Sequence, residues 1–205
     1  MKEKVLKLMV LGCAFFLASI LGAEGQGKVL MLLRVGDQGL IDLMLAKEVT
    51  VMKTALSASG FTMVIATTTG DAIKGSTTSL RPDAKVASIR LADYKGLILP
   101  CMAAGGTPIP SEFVAFVKQA AALGKPIAAQ NNAVEILGQA GVLKGKRFAI
   151  EQDLSATVPG GTFAGIGVVQ DGNIVTSGTC PFMAQELSKP DGTGELTRKL
   201  IALMR

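Results

Sequence analysis

"GKPIAAQNNAVEILGQAGVLKGK", residues 124–146, places an apolar segment, a polar turn and a helical pattern in direct succession. The apolar segment predicts a strand buried on both faces, as strands of a parallel sheet usually are. Gln130, Asn131 and Asn132 form the turn, and the apolar spacing at 134–139 predicts a helix. Many α/β enzymes hold a nucleophile at such a strand-to-helix turn. The two asparagines therefore raise the question of what this turn does.

Strands and helices alternate along the rest of the chain. Continuous apolar runs predict buried strands, and apolar residues at helical spacing predict helices. The predicted strands are residues 28–34, 61–67, 96–101, 126–129, 147–150, 163–169 and 173–176, and the predicted helices include residues 40–59, 110–123, 134–139 and 194–204. The Gly-, Ser- and Thr-rich segment 68–90 predicts a hairpin or an irregular excursion. This order predicts one α/β domain, a three-layer sandwich with a mainly parallel sheet and helices on both faces.

The composition excludes several classes of chemistry. The 205 residues include no histidine, the commonest metal ligand and the usual general base near neutral pH. Ser-His-Asp and Cys-His hydrolytic machinery is therefore excluded. Cys13, Cys101 and Cys180 lack the spacing of a zinc site, so we predict no metal and no cofactor. The net charge of +5 is scattered and has no aromatic interleaving, which gives no indication of a nucleic-acid partner.

The N-terminal segment has the layout of a targeting sequence. Lys2, Lys4 and Lys7 precede an uncharged, mostly apolar run at residues 8–23, which is typical of a signal peptide and shorter than the ~20 residues that a membrane span needs. We predict that residues 1–23 are an export signal and that the protein is periplasmic or secreted. An uncleaved membrane anchor is one alternative. A lipoprotein signal is another, since residues 10–13 read "VLGC".

Three segments resemble a known family. "ADYKGLILP" (92–100), "GKPIAAQNNAVEILGQAGVLKGKR" (124–147) and "DGNIVTSGTCPFMA" (171–184) resemble the ThiJ/PfpI branch of the class I glutamine amidotransferase-like superfamily. The resemblance extends over a single domain at residues 28–205. It implies a flavodoxin-like sheet and frequent formation of homodimers.

The resemblance also implies how the site differs from that of active members. Active members carry a cysteine at the turn, commonly followed by a histidine, and these positions hold Asn131 and Asn132. Two glycines whose backbone amides help to form an oxyanion site are matched by Cys101 and Met102. An acidic residue usually faces the cysteine, and Asp42 is the nearest match. The chain is thus expected to be a degenerate member without a catalytic residue of the family type.

The residues expected at this degenerate site form a candidate pocket. They are Asp42, Cys101, Met102, Gln130, Asn131, Asn132 and Cys180. The first functional hypothesis is a protein, not an enzyme, that binds a small molecule or acts as an accessory protein. The second is a thiol-dependent enzyme that uses Cys101, and the third is a scaffold with no ligand. Hydrolysis through Asn131 is excluded, because a carboxamide is no nucleophile at neutral pH.

Two points stay open at the level of the sequence. Asn131 either lines the pocket or only preserves the turn, since asparagine tolerates left-handed dihedrals better than any residue except glycine. Cys101 and Cys180 follow strands at the same edge of the sheet, so they could form a disulfide, a dithiol or two unrelated thiols. Export would permit the disulfide, because the compartment would be oxidising.

Overall fold

The computed structural model describes residues 25–153 and 158–205 of the chain. The strands are β1 (Gly27–Leu32), β2 (Phe61–Thr67), β3 (Ile73–Lys74), β4 (Ser79–Leu80), β5 (Ala84–Lys85), β6 (Tyr94–Leu99), β7 (Ile127–Gln130), β8 (Arg147–Phe148), β9 (Thr162–Phe163), β10 (Val168–Asp171) and β11 (Ile174–Ser177). The helices are α1 (Ile41–Met44), α2 (Thr50–Ala58), α3 (Ser111–Ala122), α4 (Val134–Gln139), α5 (Pro181–Glu186) and α6 (Thr193–Met204).

A seven-stranded sheet forms the centre of the molecule, in the order β10-β11-β7-β6-β1-β2-β5. Every neighbouring pair is parallel except β10 and β11, which form an antiparallel hairpin. The hairpin turns at Gly172, whose φ of 59° suits the Asp-Gly turn predicted from the sequence. The predicted α/β sandwich with a mainly parallel sheet is confirmed.

The two faces of the sheet carry separate hydrophobic cores, because side chains alternate along each strand. In β1, Val29 and Met31 contribute to the core that includes residues of α1, α2 and α6. Leu30 and Leu32 contribute to the opposite core, which includes residues of α3 and α4. Burying an aliphatic side chain of this size contributes ~1.5–3 kcal/mol. The low aromatic content is therefore compatible with two well-filled cores.

The predicted helix at 40–59 is interrupted in the structure. A π-helical turn at Leu45–Val49 separates α1 from α2, and such turns are frequent at functional sites. The predicted excursion after β2 consists of the β3–β4 hairpin and of β5, which joins the sheet edge beside β2. The strand predicted at 96–101 is β6, which begins and ends two residues earlier.

The predicted export signal at residues 1–23 lies outside the described residues. Over residues 25–153 and 158–205, no helix has the length and apolar character that crossing a bilayer requires.

Candidate functional site

The polar turn after β7 is a sharp elbow. Gln130 is the last residue of the strand, and Asn131 follows with a φ of 45° in the left-handed region. A short 3-10 turn, Asn131–Ala133, then leads directly into α4. Asparagine is one of the few residues that adopt this conformation at modest cost. The elbow conformation is thus kept, although no nucleophile is present at its tip.

The side chain of Asn131 is buried. Its Nδ2 donates to Glu151 Oε2 at 2.7 Å and approaches Cys180 Sγ at 3.8 Å. Its Oδ1 is the one buried side-chain oxygen or nitrogen without a hydrogen-bond partner in the described part of the chain. Asn131 is 0% exposed, which favours the alternative that it preserves the turn over the alternative that it lines a pocket.

Two thiols flank the elbow. Cys101 follows β6 and Cys180 follows β11, the strands on either side of β7. Both are buried and free, so the disulfide is not formed. Asn132 Nδ2 lies 3.6 Å from Cys101 Sγ, which matches the approach of Asn131 to Cys180 on the other side. The two thiols lie close enough for each to influence the pKa of the other.

The two thiols differ in acidity. Hydrogen bonding to Cys180 and burial raise the pKa of Cys101 well above its usual range. The hydrogen bond from Cys101 lowers the pKa of Cys180 to about 7, and the backbone N–H groups of Met183 and Phe182 and the side chain of Asn131 act in the same direction. Since the thiolate is the nucleophilic form, Cys180 forms that species at a lower pH than Cys101, although its side chain is 0% exposed.

A buried glutamate occupies the backbone amides that follow β6. Glu48 is 0% exposed, and its carboxyl accepts from the N–H of Cys101 at 2.7 Å and from that of Met102 at 3.0 Å. These are the amides that the resemblance places in an oxyanion site. Burial raises the pKa of Glu48 well above its usual range, which favours the protonated carboxyl. Amides engaged in this way are not free to bind a developing oxyanion.

The loop that carries these amides is strained and tightly packed. Met102 and Ala103 have φ values of 50° and 49°, both in the left-handed region. A Cβ at Gly36 would lie 2.4 Å from the carbonyl oxygen of Ala103, so a glycine is needed there. The loop after β1 therefore holds the loop after β6 in place.

The position expected for Asp42 is wrong. Its carboxylate accepts from the N–H groups of Ser76, Thr77 and Thr78, and from the hydroxyl of Thr78 at 2.5 Å. These hydrogen bonds lower the pKa of Asp42 to about 2, with the Thr78 hydroxyl as the largest cause. Asp42 thus fixes the β3–β4 hairpin, and the acidic residue beside Cys101 is Glu48.

Gln130 also has a structural role. Its side chain is 0% exposed and donates to the carbonyl oxygen of Thr179 at 2.7 Å and to the hydroxyl of Thr193 at 2.9 Å. It joins the end of β7 to the start of α6.

An open cavity lies beside the closed elbow, at the carboxyl edge of the sheet. Its volume is about 500 Å³, which is within the usual range for small-molecule sites. Arg34 and Thr107 line it, together with the segment 67–69 after β2. Arg34 links cavity and elbow, because its Nη2 donates to the carbonyl oxygen of Asn132 at 3.3 Å.

Among residues 25–153 and 158–205, no group of three or more Cys, Asp or Glu side chains is placed to hold a metal ion. The structure brings together five of the seven residues of the candidate pocket at the closed elbow: Cys101, Met102, Asn131, Asn132 and Cys180. Glu48 and Arg34 were not among the predicted site residues. Arg34 was detectable as the charged residue that ends the predicted strand 28–34, since ligands of parallel sheets bind at the carboxyl ends of the strands.

Known proteins resemble this chain in sequence and in fold. The model of the DJ-1/PfpI family matches residues 40–188. An uncharacterized protein of Archaeoglobus fulgidus is 34% identical over 121 residues, which are 54% of this chain and 69% of that protein. The crystal structure of a ThiJ/PfpI domain protein from Brachyspira murdochii has a TM-score of 0.68 at 13% identity, covering 88% of this chain and 97% of that chain. The structure of DJ-1beta from Drosophila melanogaster has a TM-score of 0.58 at 19% identity, with 86% and 96% covered. With its elbow after β7 and a family match over most of its length, this chain belongs to the DJ-1/PfpI family.

Proposed function

We propose that this protein is an exported, non-hydrolytic member of the DJ-1/PfpI family that binds a small molecule in the cavity beside the elbow. The single observation that carries the proposal is the contrast between a closed elbow and an open cavity at the same edge of the sheet. Asn131 is fully buried, whereas the cavity of about 500 Å³ begins at Arg34, the residue that contacts the elbow backbone.

The chemistry at the elbow supports a function without hydrolysis. Asn131 offers no nucleophile, and the chain has no histidine that could activate one. The amides of Cys101 and Met102 donate to Glu48, so transition-state stabilisation by those amides is also missing. Nucleophile, base and oxyanion site would each have to be supplied by other groups.

Thermal-shift measurements with a broad panel of metabolites test the proposal. A ligand at 100 times its dissociation constant adds about 2.7 kcal/mol to the free energy of unfolding, which corresponds to roughly 5–11 °C in the melting temperature of a protein of this size. Ala72→Leu should abolish the shift, because Ala72 lines the cavity. The control is Ala122→Leu at the exposed end of α3. A panel without any shift would favour the third hypothesis, a scaffold that binds no ligand.

Export is a separate part of the proposal and rests on the sequence of residues 1–23. N-terminal sequencing of the protein recovered from cell fractions tests it. We expect a mature protein outside the cytoplasm that begins after Ala23. An intact N-terminus in the membrane fraction would indicate the anchor, and an intact cytoplasmic protein would contradict export.

A thiol-dependent activity is the second candidate function. It is favoured by the two free thiols, Cys101 and Cys180, that flank the elbow. The reactive group would be Cys180 rather than Cys101, because the pKa of Cys180 is lowered and that of Cys101 is raised. If an activity is found, Cys180→Ser should remove it. An activity that survives both Cys180→Ser and Cys101→Ser would exclude the thiol mechanism.

A further inference from the structure

Arg34 is a buried cation that forms no ion pair with any carboxylate that the structure describes. It is 8% exposed. Burying a charge is costly unless the charge is paired. The lowered pKa of Arg34 has burial as its largest cause, while Glu135 and Cys101 oppose the shift through their charges. Glu135 is thus close enough to act electrostatically but does not neutralise the guanidinium by contact.

Part of the hydrogen-bonding capacity of Arg34 is unused. Nη1 donates to the carbonyl oxygen of Thr107 at 3.0 Å, and Nη2 donates to that of Asn132 at 3.3 Å. A guanidinium carries five N–H donors in a planar fork, so these contacts orient the group and leave donors free. Arg34 lines the cavity, so its remaining donors are available to form hydrogen bonds with a ligand there.

The rest of the cavity suits an anion with an apolar body. Lys74 adds a second positive charge to the lining and Asp71 a negative one, so the lining as a whole is positive. Pro108 and Pro110 supply apolar surface to the same lining. Arginine binds planar carboxylates and phosphates in a bidentate manner, and these prolines would cover the apolar remainder of such a ligand.

We propose that the cavity binds a small organic anion, whose carboxylate or phosphate group pairs with Arg34 and whose apolar part packs on Pro108 and Pro110. This inference rests on the proposed ligand-binding function and specifies its ligand class. The site lies beside the elbow and makes no use of Asn131 or of the two thiols.

The experiment compares matched anionic and neutral probes on the full chain. Medium-chain carboxylates from butanoate to octanoate are each paired with the corresponding carboxamide, and inorganic phosphate is a further probe. Ionic strength is held constant with sodium chloride. Binding is measured by thermal shift and by calorimetry. We expect the carboxylate to bind roughly 10- to 100-fold more tightly than its carboxamide, as the loss of a charge-assisted hydrogen bond predicts.

Variants of Arg34 assign the effect to this residue. Arg34→Gln should remove the preference for the carboxylate, and Arg34→Lys should keep part of it, since the positive charge remains. The control is Arg90→Gln, which removes one positive charge from an exposed turn where Arg90 pairs with Asp93. If Arg34→Gln does not fold, the comparison of Arg34→Lys with wild type still decides, because a lysine cannot replace a bidentate contact without loss.

Each outcome bears on the inference. A carboxamide that binds as tightly as its carboxylate would overturn the anion site and leave the ligand-binding function standing. An unchanged preference in both Arg34 variants would also overturn it. Phosphate binding without carboxylate binding would support the site with phosphate as the group recognised. No binding of any of these probes would overturn the inference, whereas the broad metabolite panel decides the ligand-binding function independently.

Discussion

The buried carboxyl of Glu48 makes the stability of this protein depend on pH. The side chain is 0% exposed and accepts two backbone hydrogen bonds, from Cys101 and Met102. Within the described residues no lysine or arginine forms an ion pair with it. The substitution Glu48→Gln keeps the size of the side chain and removes its ionisation.

The sign follows from the direction of the pKa shift. The pKa of Glu48 is raised in the folded protein by burial, whereas a glutamate in an unfolded chain has a pKa of about 4.3. Between these two values the folded state binds more protons than the unfolded state. The free energy of unfolding therefore falls as pH rises above about 4.3, by up to ~1.4 kcal/mol per pH unit from this group. Glu48→Gln lacks this contribution.

Glu48→Gln has two effects, the loss of a hydrogen bond and the loss of an ionisable group, and only the second depends on pH. At about pH 4 we expect Glu48→Gln to be less stable than the wild type by about 1–3 kcal/mol. The amide NH₂ of glutamine is a donor, so one of the two backbone N–H groups loses its acceptor. As pH rises, the wild type loses stability relative to the variant, and the gap closes or reverses.

Urea denaturation at a series of pH values between about 4 and 8 measures this gap. The matched control is Glu112→Gln, at an exposed position in the first turn of α3, which should show no such trend. The reasoning is refuted if the difference between wild type and Glu48→Gln stays constant across the series, or if the wild type gains on the variant as pH rises.

Three further predictions follow from the elbow, the thiols and the hairpin. Asn131→Ala should be less stable than Asn131→Gly by about 1 kcal/mol, since alanine resists the φ of 45°; equal urea midpoints would contradict the strain. The far-ultraviolet absorbance of the thiolate, which can be followed without a reagent reaching the buried Cys180, should rise with a midpoint near pH 7, and Cys101→Ala should move this midpoint upward by removing the largest cause of the lowered pKa; an unmoved midpoint would contradict the coupling. Asp42 contributes fully to stability above its unfolded pKa of about 3.9, and this contribution is lost as pH falls through about 2. In acid denaturation, the difference in free energy of unfolding between wild type and Asp42→Asn should therefore shrink over this interval. A constant difference would contradict the role of Thr78.

The sheet was predictable from the sequence because its strands are buried on both faces. A parallel sheet between helices requires continuous apolar runs, and the run predicted at 126–129 corresponds to β7, whose residues are all buried. The elbow was also recognisable, since an apolar run ended at polar residues just before a helical pattern. The π-helical turn at Leu45–Val49 was not predictable, because apolar spacing does not distinguish it from continuous α-helix.

The acidic residue of the site was assigned to Asp42 from the sequence, although the sequence pattern also indicates Glu48. Asp42 was chosen because it lies near the start of the first helix. Leu45, Glu48, Val49 and Met52 recur at the spacing of one helical face, and all four are buried. A carboxylate on an apolar face must be neutralised or hydrogen-bonded, which marks Glu48 as the residue with a specific partner. Its partners, two backbone amides far along the chain, could be identified only from the fold.

The changes at the elbow are linked through Glu48. A cysteine at position 131 would need a base and an oxyanion site before it could support acyl transfer. The amides that could form such a site are held by a buried carboxyl, and releasing them would leave that carboxyl without its two donors in a place where water does not reach it. We therefore expect that restoring the nucleophile alone does not restore hydrolysis, since the engaged amides are part of the hydrogen bonding that keeps Glu48 buried. The lining of the cavity beside Arg34 contains neither Glu48 nor the residues whose amides it engages, so the proposed ligand would not contact them.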